Sequence, residues 1–123
     1  MTEDELLAGV TEALELSGWR WTHIINSRGV TMGDPGLPDI IAVHPIRGTI
    51  LAWELKGDGG RPSGDQVAWL SALYAANRRA DDCSGMAPIL DARLLYPGDY
   101  DRALAFILGK TAYMADSPAR RET

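Results

Sequence analysis

The chain has 123 residues, of which 46% are hydrophobic and 24% charged, and its formal net charge at pH 7 is −5. This length and composition predict one soluble domain with a single hydrophobic core. The acidic balance argues against a protein that binds nucleic acid by charge attraction alone, because affinity for phosphates normally comes from clustered Lys and Arg.

Cysteine and histidine are scarce in this sequence. Cys83 is the only cysteine and there are two histidines, so an internal disulfide and a structural zinc site are both excluded. A hard cation held by oxygen ligands is favoured instead. No apolar run approaches the roughly 20 residues that span a bilayer. Acidic residues stand where a signal peptide carries basic ones, and we therefore expect a cytoplasmic protein.

The first predicted element is a helix that runs to about Ser17-Gly18. Thr2 and Glu5 fit a capping box, and apolar residues then recur at helical spacing. The segment 19–26 alternates loosely and carries aromatic and β-branched residues, which favours a first strand.

Two further strands are predicted in the middle of the chain. The runs 39–44 and 49–55 are short and apolar, and turn-prone residues separate them. Both properties indicate a pair of buried central strands joined as a hairpin.

The last predicted elements are a helix, a strand and a helix. Ser63 and Gln66 form a second capping signal before a helix that ends near Arg79. The segment 88–96 reads as a fourth strand, and 100–108 as a third helix. A crossover through the second helix makes the fourth strand parallel to the third.

The predicted order is therefore α-β-β-β-α-β-α, an α/β fold around a small mixed sheet. Residues 1–110 are expected to form the single domain, and residues 111–123 a flexible C-terminal tail.

The most informative motif is Pro-Asp followed by Glu-x-Lys. Asp39 ends a Gly-Leu-Pro-Asp turn, and Glu54-Leu55-Lys56 closes the third strand. Alternate residues of a strand share a face, so Glu54 and Lys56 project together. Pairing of the two central strands would bring Asp39 beside Glu54, forming a hard-oxygen site for a divalent cation. A carboxylate in an apolar strand needs such compensation, and the constellation suits phosphodiester hydrolysis.

These motifs and the element order resemble the PD-(D/E)xK nuclease superfamily. Within it, the chain is similar to the VRR-type nuclease domain, especially the small stand-alone versions of bacteriophages. The resemblance covers about residues 2–109 and implies a restriction-endonuclease-like core. One departure is Leu7, where relatives often carry Gln. The other matching pieces are Thr2-Glu3, Gly18-Trp19, His23, Ser27-Arg28, Gly36-Leu37, Gln66, Trp69-Leu70 and Tyr96-Pro97-Gly98-Asp99.

The resemblance assigns roles to the central motif. Asp39 and Glu54 are expected to bind Mg²⁺ or Mn²⁺, with the backbone carbonyl of Leu55 completing the protein ligands. Lys56 is expected to orient or deprotonate the attacking water. Orientation and charge stabilisation are favoured, because an ammonium with an ordinary pKa of about 10.4 is a poor base at neutral pH.

Two further candidates belong to the helices. Glu3 lies in the helical sector of Leu7 and Val10, and the resemblance makes it a further catalytic acid and metal ligand. Its alternative role is a favourable interaction with the helix N-terminus. Gln66 is a candidate for contact with substrate or with water at the site. Its alternative role is the reciprocal capping partner of Ser63.

Four residues are candidates for substrate binding. His23 on the first strand could contact a phosphate, or it could be an ordinary strand histidine. Ser27, Arg28 and Arg61 lie in predicted loops beside the site, where guanidinium groups can grip phosphates. The arginines could equally be solvated charges.

The sequence thus predicts a metal-dependent DNA endonuclease, structure-selective for branched DNA in the manner of a Holliday-junction resolvase. By resemblance it is expected to form a homodimer, which suits two-fold branched substrates. Two alternatives stay open. One is a nicking or restriction-like nuclease that acts on duplex or single-stranded DNA, and the other is a non-catalytic DNA-binding module of the same fold.

Overall fold

The computed structural model describes residues 1–25, 32–83, 89–111 and 114, without the side chains of residues 78–83. Its elements follow the predicted order and confirm a mixed α/β fold. They are α1 (Glu3–Leu16), β1 (Arg20–His23), β2 (Ile40–His44), β3 (Thr49–Leu55), α2 (Gly64–Cys83), β4 (Ile89–Leu95), a 3₁₀ turn (Pro97–Asp99) and α3 (Tyr100–Ile107).

Two boundaries differ from the predictions by three residues or more, the end of β1 and the end of α2. β1 is shorter than the predicted segment 19–26, although the Ile24 amide still donates to the Asp39 carbonyl at 2.6 Å. α2 continues past Arg79 to Cys83, because nothing in the sequence between them breaks a helix. The predicted tail, 111–123, lies mostly outside the described residues, so the domain boundary stays a prediction.

The sheet has the strand order β1-β2-β3-β4. β2 pairs antiparallel with both β1 and β3, whereas β3 and β4 run parallel. The hairpin and the crossover through α2 were both predicted. Because β3 and β4 are parallel, their C-terminal ends meet at one edge of the sheet, together with the start of β2.

The two faces of the sheet are covered unequally. α1 and α3 pack against one face and bury Trp53, Phe106 and Leu6 with the rest of the core. Trp19 also belongs to this core, and its indole N–H donates to the Ile107 carbonyl at 2.9 Å. The other face carries α2, which packs mainly on β4. Across the described part of the chain, none of the helices combines the length and apolar character of a membrane span.

α1 illustrates how local sequence determines an element. Thr2 and Glu5 form the predicted reciprocal capping box, with N···O distances of 3.0 and 3.1 Å. The helix then buries Leu6, Val10 and Leu14 on one side. Its first turn projects beyond that core, next to the ends of β3 and β4.

Candidate active site

The register of the central hairpin brings the two predicted acids together. Ile40 of β2 pairs with Trp53 of β3, so the next position places Asp39 across from Glu54. Directly opposed residues of an antiparallel pair share a face, with Cβ atoms about 5 Å apart. Asp39 and Glu54 therefore lie on the same side of the sheet, at its C-terminal edge.

The backbone of Leu55 fixes the carboxylate of Asp39. The Leu55 amide donates to Asp39 Oδ2 at 3.1 Å, whereas the Lys56 amide donates to the Leu95 carbonyl of β4 at 3.0 Å. The side chain of Asp39 thus replaces a strand acceptor at the point where β2 begins. In a strand, the N–H and C=O of one residue point to the same side. The Leu55 carbonyl consequently faces Asp39 as well.

The approach of the chain to Asp39 depends on a glycine. Gly36 has φ +98°, and a Cβ atom there would lie 2.5 Å from the backbone of Asp65 in α2. Only glycine tolerates both this conformation and this contact. The Trp69 indole also donates to the Asp34 carbonyl at 3.1 Å. Both contacts hold residues 34–36, which precede Asp39, against the N-terminal part of α2.

Glu54 is a buried carboxyl at the end of the central strand. It is 1% exposed, and among the described residues its Oε1 atom has no hydrogen-bond partner. Its other oxygen, Oε2, lies 3.8 Å from Nζ of Lys56, which confirms that these two side chains share a face. Burying a carboxylate oxygen without a hydrogen-bond partner is unfavourable in free energy, so a proton or a cation at this atom would stabilise the protein.

The surroundings of Glu54 raise its pKa from 4.5 to about 8. Burial is the largest cause, and Asp39 adds to it, as an acceptor for protonated Glu54 and as a neighbouring negative charge. Lys56 acts in the opposite direction, and Glu3 contributes a smaller increase. Without a cation, Glu54 is thus mostly neutral at pH 7.

The donor set fits a magnesium-like ion. Asp39, Glu54 and the Leu55 carbonyl supply oxygen atoms of the kind that hard cations prefer. Within the described ranges, no group of three Asp, Glu, His or Cys side chains is arranged to hold a metal. Mg²⁺ is commonly bound by one or two carboxylates and keeps several waters, whereas Ca²⁺ takes more protein oxygens. The unpaired Oε1 of Glu54 is the atom that such an ion would satisfy.

Glu3 lies near this cluster. Its backbone amide is 3.4 Å from where a Cβ atom of Gly57 would be, just beyond Lys56. Its side chain is exposed and is not buried with the apolar residues of its helical sector, although its charge contributes to the raised pKa of Glu54. The reason is that Glu3 precedes the first buried turn of α1, which begins at Leu6. Its role as a metal ligand stays a prediction.

Gln66 and Arg61 both follow β3 in the chain. Arg61 lies in the loop before α2, and Gln66 lies in the first turn of that helix. Gln66 Oε1 accepts from the Ser63 amide at 2.8 Å, and the Gln66 amide donates to Ser63 Oγ at 3.2 Å. The capping alternative for Gln66 is thus confirmed, while its contact with substrate stays a prediction. Arg61 is exposed in the loop between β3 and α2.

His23, a further candidate for substrate binding, is not brought to the carboxylates. His23 pairs with Ile40, and the alternation of the strand puts its exposed side chain on the face opposite to Glu54. Ser27 and Arg28 lie outside the described residues.

The sequence did not predict that Tyr96 contacts the loop after β3. Its hydroxyl donates to the Gly60 carbonyl at 2.8 Å, and its amide donates to Oδ2 of Asp99 at 2.9 Å. Asp99 is 4% exposed and pairs with Arg102. The predicted parallel pairing of β3 and β4 was the feature of the sequence that could have indicated this contact, because it places the residue after β4 near the loop after β3.

No family model, curated protein or solved structure matches this chain.

Proposed function

We propose that this protein is a Mg²⁺- or Mn²⁺-dependent endodeoxyribonuclease of the PD-(D/E)xK type. The observation that carries the proposal is the buried Glu54 carboxyl, which faces Asp39 and has one oxygen unpaired among the described residues. A purely structural Glu would be expensive at this position. A cation-binding site beside the Lys56 ammonium group accounts for the burial of the Glu54 carboxyl next to Asp39.

In the proposed mechanism, Asp39, Glu54 and the Leu55 carbonyl would hold the divalent cation. The ion would supply positive charge that acidifies an attacking water and offsets the charge developing on the phosphate. The Leu55 amide keeps Asp39 directed toward Glu54. Glu54 would act as a ligand in its ionised form, with its proton released to solvent.

Lys56 has a separate role on the same face. Its ammonium lies 3.8 Å from Glu54 Oε2, and its side chain is one-fifth exposed, so it borders both the carboxylates and solvent. From there Lys56 orients the attacking water and stabilises negative charge on the phosphate.

The proposed substrate is branched DNA, and the proposed active form is a homodimer. From Val67 to Asn77 the sequence of α2 has no charged residue, and none of these side chains is fully buried. Val67 and Tyr74 are 47% and 57% exposed. An uncharged, exposed helix face is typical of a surface that a partner covers, and a second copy gives two sites related by a two-fold axis.

A direct test uses a panel of labelled four-way junctions, flaps, linear duplexes and single strands, each with Mg²⁺, Mn²⁺ or EDTA. Asp39→Asn keeps the size of the side chain and removes its charge, so it should lower metal-dependent cleavage by about 100-fold or more. Lys56→Met should do the same. Asp101→Asn, on the exposed start of α3, is the matched control and should cleave as the native protein does.

The outcomes separate the proposal from its alternatives. Preferential cleavage of junctions supports a resolvase, whereas equal cleavage of linear duplexes identifies a nicking or restriction-like enzyme. Metal-independent binding without any cleavage would identify a DNA-binding module. Unchanged cleavage by Asp39→Asn would remove the proposed site from the reaction.

A further inference from the structure

The loop after β3 folds back tightly on Lys56. The Gly60 amide donates to the Gly57 carbonyl at 3.0 Å, closing a turn over residues 57–60. A Cβ atom at Gly60 would lie 3.3 Å from Cβ of Lys56 and 3.1 Å from the Gly57 carbonyl oxygen. The turn therefore packs against the base of the Lys56 side chain, and little space is left between them.

Tyr96 connects this turn to a buried polar group at the end of β4. Its hydroxyl donates to the Gly60 carbonyl at 2.8 Å, and its own amide donates to Asp99 Oδ2 at 2.9 Å. Asp99 is 4% exposed and pairs with Arg102. The tyrosine is thus anchored at its backbone and holds the turn through its hydroxyl.

Lys56 is fixed at its backbone by the same edge of the sheet. Its amide donates to the Leu95 carbonyl, one residue before Tyr96. The backbone bond sets where the side chain begins, but it leaves the four-carbon stem free to rotate. The turn lies beside Cβ, at the base of that stem, and the Tyr96 hydroxyl donates to the turn.

We propose that Tyr96 is a positioning residue, which orients Lys56 toward Glu54 by holding the turn of residues 57–60. This inference rests on the proposed nuclease function, in which Lys56 acts on the attacking water and the phosphate. The contacts that support this role of Tyr96 are with the Gly60 carbonyl and with Asp99. The effect of Tyr96 on the reaction passes through the geometry of Lys56.

The first test is kinetic. Tyr96→Phe removes the hydroxyl and retains the ring, and Tyr100→Phe makes the same change where α3 packs against Gly9 of α1, as a matched control. Tyr96→Phe should lower kcat for the preferred DNA substrate about five- to tenfold, with KM and the Mg²⁺ dependence unchanged. Tyr100→Phe should leave both parameters as in the native protein.

A double substitution shows whether the effect passes through Lys56. In Mn²⁺ single-turnover reactions, Tyr96→Phe should slow the native protein but should not further slow Lys56→Met, because the side chain that it positions is absent. An equal loss in both backgrounds would overturn the inference. A kcat equal to that of Tyr100→Phe, or a change confined to KM, would do so as well.

Amide hydrogen exchange tests the anchoring step without metal or DNA. Exchange of the Gly60 amide should be about five- to tenfold faster in Tyr96→Phe than in Tyr100→Phe, since the turn opens more often. Equal exchange would show that the hydroxyl does not hold the turn, even if the protein is an active nuclease. If the native protein cleaves none of the DNA substrates, the proposed function fails, and positioning for catalysis fails with it. The exchange result then decides the anchoring step alone.

Discussion

At the scale of single residues, Glu54 is the group whose environment most clearly demands an explanation. A neutral core residue of similar size would fill the same space without the cost of burying a carboxyl. Asp39 across the hairpin makes that cost larger, and Lys56 offsets it in part. The arrangement is thus poor for the stability of the cation-free protein and favourable for binding a divalent ion.

The raised pKa of Glu54 predicts how stability depends on pH without metal. Because the folded protein binds this proton more tightly than the unfolded chain, the stabilising effect is complete below pH 4.5 and is lost as pH rises through about 8. Glu54→Gln cannot ionise and should escape this loss. In urea unfolding with EDTA, its stability relative to the native protein should increase by about 1–3 kcal/mol between pH 5 and pH 9.

Glu12→Gln, on the exposed side of α1, is the control for this measurement, and its stability should run parallel to that of the native protein. Parallel curves for Glu54→Gln and the native protein would contradict the account of a proton bound at Glu54. Added Mg²⁺ should stabilise the native protein more at pH 9 than at pH 5, and should have little effect on Glu54→Gln.

At the scale of elements, hydrophobic periodicity and capping signals were sufficient to predict the order of helices and strands. The alternation of Glu54 and Lys56 was also predictable, because side-chain direction in a strand has a period of two. The pairing of Asp39 with Glu54 followed once the connection was recognised as a hairpin. These features depend on short-range sequence, which a single chain displays directly.

Contacts between distant elements were less predictable. The exposure of Glu3 depends on how far the first turn of α1 extends past the core, and helical angle alone does not contain that information. The bond from Tyr96 to Gly60 depends on the parallel register of β3 and β4. The docking of Gly36 on Asp65 likewise joins a loop to a helix that follows it by 29 residues in sequence number.

The exposed face of α2 gives a prediction about assembly. Ala72 is exposed in the single chain, so Ala72→Glu should leave the fold intact and place a charge in the proposed interface. Its dimer should dissociate at least tenfold more readily, because desolvating an unpaired carboxylate is unfavourable. Light scattering after size exclusion, over a range of protein concentrations, measures this change.

Ala8→Glu makes the same substitution on the exposed side of α1 and should leave assembly unchanged. Circular dichroism would verify that both variants are folded. A native protein that is monomeric at all concentrations, or an Ala72→Glu variant that pairs as tightly as Ala8→Glu, would show that α2 is not the interface.

At the scale of the whole molecule, one face of the sheet forms the hydrophobic core, and the C-terminal edge of the sheet carries the polar groups of the candidate site. The face under α1 and α3 holds the large apolar side chains and provides most of the core. The C-terminal edge of the sheet collects the polar groups from β2, β3 and the segment after β4. A net charge of −5 gives the molecule no general attraction for DNA, so in the proposed nuclease contact with phosphates would depend on a bound cation and on locally placed cationic groups such as Lys56.

The most direct test of this account is a crystal structure of the native protein grown with Mn²⁺ and measured at the manganese absorption edge. The account predicts an anomalous peak within about 2.0–2.4 Å of oxygen atoms from Asp39, Glu54 and the Leu55 carbonyl, with Lys56 alongside. Glu54→Gln crystals grown in the same way should lose most of that peak. A native structure without manganese between the two carboxylates, or with their side chains on opposite faces of the sheet, would contradict the central claim.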